Sequence, residues 1–135
     1  MYLDDLIREL GVDQRKRAQE EMKLHKQVAQ FLRWAVPADC VWYHVPNGGK
    51  RSKKVGGEMA AMGLKAGIPD LAFVYQGRAL FIELKAPAGR VSADQRQMFA
   101  KLERAGTHVE VCTTPEEVVA VLEGWGLRLQ AELTA

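Results

Sequence analysis

Gly67-Ile68-Pro69-Asp70 opens an apolar run, Leu71-Ala72-Phe73-Val74-Tyr75, and a second run, Ala79-Leu80-Phe81-Ile82, leads into Glu83-Leu84-Lys85. The two runs predict neighbouring strands, with Gln76-Gly77-Arg78 as the tight turn between them. Asp70 then stands at the mouth of the first strand. Pro69 biases Ile68 towards an extended backbone, which helps aim Asp70. Glu83 and Lys85 continue the second strand. Side chains two apart on a strand share a face, about 7 Å apart along it, so both project together while Leu84 points into the core.

Charged groups at the end of an apolar sheet lose hydration and persist only if each charge is compensated. A divalent cation does this for two carboxylates. Hard cations such as magnesium take oxygen ligands, keep several waters and are held by one or two carboxylates together with a substrate phosphate. A water on such a cation beside Lys85 is a candidate nucleophile for a phosphodiester. The competing reading of Glu-x-Lys is a surface salt bridge, and Pro69-Asp70 at hairpin distance is what separates the two.

In these motifs the chain resembles the PD-(D/E)XK nuclease superfamily, and specifically its VRR-NUC branch of virus-type replication and repair nucleases. Gly-Ile-Pro-Asp-Leu, the apolar hairpin, Glu-Leu-Lys followed by Ala86-Pro87-Ala88-Gly89-Arg90, and Ser92-Ala93-Asp94-Gln95 carry the resemblance, in that order. It spans roughly Glu20 to Leu122. The expected organisation is an N-terminal helical extension over 1–19, the nuclease domain over 20–123 and a tail over 124–135.

The whole chain fits that frame. With 135 residues, 47% hydrophobic and 27% charged, it is sized for one domain. No apolar run is long enough to span a bilayer, and Met1-Tyr2-Leu3-Asp4-Asp5 lacks the features of a secretory signal, so the expected location is cytoplasmic, in a bacterial or phage-infected cell. Cys40 and Cys112 have neither zinc spacing nor disulfide density and read as buried thiols. His25, His44 and His108 form no zinc pattern. His44, on the β-type run Val41-Trp42-Tyr43-His44-Val45, is given no catalytic role.

The net charge of +2 hides an uneven distribution: Lys50, Arg51, Lys53, Lys54 and Lys65 stand against Glu58 alone between Asn47 and Lys65. Gly48, Gly49, Gly56 and Gly57 interleave with these cations. The segment reads as a flexible loop that follows a nucleic-acid backbone, in preference to an ordinary solvated loop. Glu58-Met59-Ala60-Ala61-Met62-Gly63-Leu64-Lys65 then reads as a short helix or turn, and Lys65 is a candidate phosphate contact.

Four helices complete the pattern. Tyr2 to Leu10 predicts a short amphipathic helix stopped by Gly11. Leu24, Val28, Phe31, Leu32 and Ala35 recur at helical spacing up to Pro37. Glu21 falls nearer the centre of that apolar face than Glu20, which stays an alternative because helix ends are set only to about a residue or two, and either a helix-dipole contact or a functional role accounts for it. The resemblance implies that this helix turns an acidic residue towards the metal site, as a ligand or outer partner. Ser92 and Gln95 match a capping box ahead of the Met98, Phe99, Leu102, Ala105 stripe that Gly106 ends. The resemblance gives Gln95 a second reading, as a site residue assisting water or substrate. Thr107 to Cys112 predicts a strand. Thr114-Pro115-Glu116-Glu117 is another capping box, opening a helix with Val118, Val119, Val121 and Leu122.

The resulting fold class is α/β, a mixed central sheet flanked by helices, which agrees with the restriction-endonuclease-like core that the resemblance implies. The expected function is a metal-dependent, structure-selective deoxyribonuclease. Asp70 and Glu83 would ligate Mg2+ or Mn2+, the Leu84 carbonyl would complete the inner sphere, Glu21 would support it, and Lys85 would orient or help deprotonate the attacking water. Gln95 would assist. Lys50, Arg51, Lys53, Lys54 and Lys65 would hold the DNA backbone without reading bases. Resemblance to stand-alone junction-resolving domains implies a homodimer acting on branched DNA such as Holliday junctions, with no small-molecule cofactor and no membrane. The alternatives are a flap-cutting nuclease, a binding module that no longer cleaves, and a sequence-specific restriction enzyme, for which little chain lies outside the core.

Overall fold

Leu71–Tyr75 (β2) and Arg78–Leu84 (β3) pair antiparallel, Leu71 opposite Ile82 and Tyr75 opposite Arg78, which leaves Gln76 and Gly77 as the turn. Both turn residues have positive φ, 51° and 72°. That is the type I′ arrangement whose twist matches two-residue hairpins. Arg78 therefore belongs to the strand and not to the turn.

The structure is a computed structural model describing residues 3–46 and 52–134, with the backbone alone described for 3–10, 12 and 13. Around the hairpin it places α1 (Leu3–Ala35), β1 (Cys40–His44), α2 (Lys53–Ala61), α3 (Ala93–Arg104), β4 (His108–Cys112) and α4 (Pro115–Gly124). The four strands form one mixed sheet in the order β1-β2-β3-β4. β1 is antiparallel to β2, and β4 is reached through the α3 crossover, the kind of connection a parallel neighbour needs. No helix among the described residues is long and apolar enough to cross a membrane.

The chain divides into two compact units. One comprises Asp39–Glu83 and Val91–Glu110. Its core is one face of the hairpin, where the cross-strand pairs Leu71/Ile82 and Phe73/Leu80 are fully buried. Burying side chains of this size contributes about 1.5–3 kcal/mol each. Cys40 is also buried here, and burial, with Asp39 adding to it, pushes its thiol up from the ordinary range.

The other unit comprises Met1–Ala38, Leu84–Arg90 and Val111–Ala135. In it Leu24, Val28, Leu32 and Ala35 line one buried stripe of α1, which packs against α4 and its buried Val118 and Leu122. The segment after α4 folds back: Leu127 is buried and Gln130 N–H donates to the Ala35 carbonyl at 2.7 Å.

Three local expectations need correction. Gly11 does not stop a helix, because α1 runs unbroken from Leu3 to Ala35, roughly 50 Å at 1.5 Å per residue. A glycine inside a helix costs about 1 kcal/mol relative to alanine but keeps its N–H and C=O in the ladder. Stopping takes the left-handed turn seen at Gly63, Gly106 and Gly126, where paired backbone bonds close α2, α3 and α4.

Residues 53–61 are helix rather than flexible loop: Ser52 caps α2 by accepting from Val55 N–H at 3.2 Å, and Gly56 and Gly57 lie inside it. The expected capping box at Glu117 is shifted by one residue. Thr114 Oγ1 accepts from Glu117 N–H, but the Glu117 carboxylate takes the N–H and hydroxyl of Thr113.

Gln76 is the one non-glycine residue among those described with positive φ. Asparagine tolerates that conformation better. Gln76→Asn is therefore expected to raise the thermal midpoint by about 2 °C, measured by circular dichroism; an unchanged or lower midpoint contradicts the turn assignment.

Candidate active site

Carrying the hairpin register one residue beyond Leu71/Ile82 sets Asp70 opposite Glu83. The carboxylate of Glu83 is the one buried charged side chain among the described residues, 3% exposed. Among its partners are two donors from different elements. Asp70 N–H donates to Glu83 Oε1 at 3.2 Å, and the Gln95 amide, Nε2, donates to Glu83 Oε2 at 2.9 Å. Both donors are neutral.

Each donor is positioned by local sequence. Asp70 follows the buried Pro69, and its carbonyl accepts Val45 N–H at 2.8 Å and a hydrogen bond from His44 Nδ1 at 3.0 Å. Since a carbonyl only accepts, the ring carries its proton on Nδ1. Gln95 is the third residue of α3. Its Oε1 accepts Ser92 N–H at 2.9 Å while its own N–H donates to Ser92 Oγ at 3.2 Å, a complete capping box. The cap fixes which end of the amide faces which neighbour: oxygen to Ser92, nitrogen to Glu83.

Gly67 joins the two halves. It has φ +81°, and a Cβ there would stand 2.5 Å from the Asp94 carbonyl oxygen and 2.9 Å from Gln95 Cα. Only a residue without a side chain lets the approach to Pro69-Asp70 lie this close to the first turn of α3.

The unit thus brings together Asp70, Glu83 and Gln95, and adds His44 and Gly67, for which the sequence reading gave no site role. The register signal for His44 was present, because a strand antiparallel to β2 must end where β2 begins. Nothing in the linear sequence signals the contact of Gly67 with α3.

Glu21, Leu84 and Lys85 belong to the other unit. There Lys85 follows the end of β3, is half-buried, and gives its backbone N–H to the Cys112 carbonyl at 3.0 Å. Glu21 is half-buried where Glu20 is exposed, and its Oε1 lies 3.1 Å from where a Cβ on Gly89 would stand. Lys53 and Lys54 occupy the first turn of α2, and they and Lys65 are exposed. Lys50 and Arg51 lie outside the described residues.

Among the described residues no group of three or more His, Cys, Asp or Glu side chains converges as a metal cage. A buried carboxylate with a second acidic residue beside it fits a different mode of binding. It would supply hard oxygen donors to a cation of the kind that completes its shell with water and substrate phosphate, as magnesium does.

The VRR-NUC domain family model matches residues 15–115. Among the solved structures similar to this chain, two illustrate the likeness. One, a VRR_NUC domain protein, is 19% identical with a TM-score of 0.58, over 76% of this chain and 84% of that one. The other, a VRR_NUC domain, is 16% identical with a TM-score of 0.52, over 78% and 97%. At these identities the likeness is one of fold. No curated protein matches the chain.

Gly67→Ala drives a methyl group into the α3 backbone and forces a non-glycine residue into left-handed φ. It is expected to destabilise the protein by about 3 kcal/mol in chemical denaturation followed by fluorescence. A change below about 0.5 kcal/mol, the range of an ordinary surface substitution, contradicts the close packing.

Proposed function

Since the chain belongs to the VRR-NUC domain family, a family of nucleases, we propose that it is a metal-dependent DNA endonuclease. It hydrolyses phosphodiester bonds and selects branched DNA such as Holliday junctions. The observation that supports this best is the buried Glu83 carboxylate, oriented by the Asp70 N–H and the Gln95 amide. A fold stabilised by burial alone gains little from a carboxylate in that place, because removing a charge from water costs several kcal/mol before its partners compensate.

In this reading Asp70 and Glu83 hold Mg2+ or Mn2+, which would supply charge stabilisation at the phosphate and activation of water. The parts of Glu21, of the Leu84 carbonyl and of Lys85, the amine that would orient the water, rest on the family resemblance. Lys53, Lys54 and Lys65, with Lys50 and Arg51, hold the DNA backbone. Contacts of that kind give affinity and register without sequence preference, which suits selection by DNA shape. A four-way junction needs two cuts, and a homodimer supplies two sites.

Labelled junction, flap, single-stranded and duplex DNA, each with Mg2+, Mn2+ or chelator, test the reading. Cutting of the junction with metal, and none with chelator, is expected. Asp70→Ala and Glu83→Ala are expected to lower the rate at least about 100-fold while DNA binding by gel shift persists. Preference for the flap would replace the junction assignment, and failure on every substrate with both metals would point to a binding module.

Lys53→Ala and Lys54→Ala are each expected to weaken binding to all sequences alike. Each should reduce the slope of log affinity against log salt by about 1. An unchanged slope removes these lysines from the interface.

A further inference from the structure

Gln95 spends both ends of its side chain. Its Oε1 takes the N–H of Ser92 at 2.9 Å and its Nε2 reaches Glu83 Oε2 at 2.9 Å. A residue that only capped α3 would leave its nitrogen to solvent, and one that acted on water would turn its amide away from the carboxylate. Ser92 is exposed and caps the helix from outside, accepting Gln95 N–H on its hydroxyl. From Ser92 to Glu83 there is an unbroken chain of hydrogen bonds through one glutamine, seated by the close contact of Gly67 with the backbone of Asp94 and Gln95.

We infer that the α3 capping box is the positioning device of the Glu83 carboxylate, with Gln95 and Ser92 as positioning residues that act through Glu83. The inference rests on the nuclease reading for its functional meaning, since it is the metal-holding carboxylate that the device orients. Two bonds between Ser92 and Gln95 close the cap, and a third, from the same glutamine, holds the carboxylate. A carboxylate oxygen that is hydrogen-bonded from outside the metal shell keeps one rotamer and presents its other acceptor positions in a fixed direction. Loss of such an outer partner characteristically weakens metal binding by 10- to about 100-fold.

The test uses the full chain with no DNA. In 15N-labelled, metal-free protein the side-chain amide signals of Gln95 are expected to stand apart from those of exposed glutamines. Both Glu83→Ala, which removes the acceptor of Gln95 Nε2, and Ser92→Ala, which removes the hydroxyl that holds the Gln95 backbone N–H, should move them towards the exposed position, and Ser92→Thr, which keeps a hydroxyl, should leave them in place. Calorimetric titration with Mn2+ is expected to show affinity about tenfold weaker in Gln95→Ala and several-fold weaker in Ser92→Ala. Adding Ser92→Ala to Gln95→Ala should change nothing further, because the relay is already broken.

The inference is overturned if Ser92→Ala lowers the thermal midpoint while the Gln95 amide signals and the Mn2+ affinity stay at their wild-type values. It is also overturned if the two losses of affinity add. If the wild-type protein takes no Mn2+, the metal-nuclease reading fails, and the amide signals alone then decide whether Ser92 and Gln95 hold Glu83.

Discussion

A carboxylate taken out of water must be met by donors that are themselves fixed, or it shifts, protonates or opens the fold to solvent. Glu83 meets this condition at the end of β3, where the sheet has already excluded water. Two of its donors come from the start of β2 and the first turn of α3, so neither element can move without breaking a bond to it. Among the described residues no buried side-chain nitrogen or oxygen lacks a hydrogen-bond partner. The carboxyl group is therefore accommodated by the structure with its polar atoms paired.

Several choices of residue follow from that condition. Pro69 limits the backbone ahead of Asp70, and His44 and Val45 tie the Asp70 carbonyl to the end of β1. Ser92 starts α3 at the position that brings its third residue to Glu83. Gly67 removes the side chain that would keep these two segments apart. The apolar pairs Leu71/Ile82 and Phe73/Leu80 set the hairpin register by burying one face. A slip of one residue would turn that face to solvent and carry Glu83 away from Asp70. Hydrophobic burial thus supplies the stability and also the alignment on which the polar contacts depend.

Much of this architecture is legible in the linear chain because it is written in local signals. The hairpin strands, the capping box at Ser92 and Gln95, the stop at Gly106 and the stripe from Leu24 to Ala35 each follow from a periodicity or a turn residue. Errors arose where a local signal was outweighed. Gly11 reads as a stop, yet its cost is small against the ladder of a 33-residue helix. Gly56 and Gly57 read as loop, yet Ser52 nucleates a helix across them. At the site, Asp70, Glu83 and Gln95 were legible as residue types at suggestive spacing. The hydrogen bonds that join them were not, since they span 12 and 13 positions of sequence. His44 and Gly67 gained their places only through pairing and packing.

The central claim is that Asp70 and Glu83 share a cation. Crystals of the protein soaked in Mn2+ and recorded at the manganese edge test it most directly. The account predicts an anomalous peak within about 2.3 Å of an oxygen from each carboxylate, abolished in Glu83→Ala crystals. A peak held by other residues, or none at a Mn2+ concentration that supports cleavage, would contradict it.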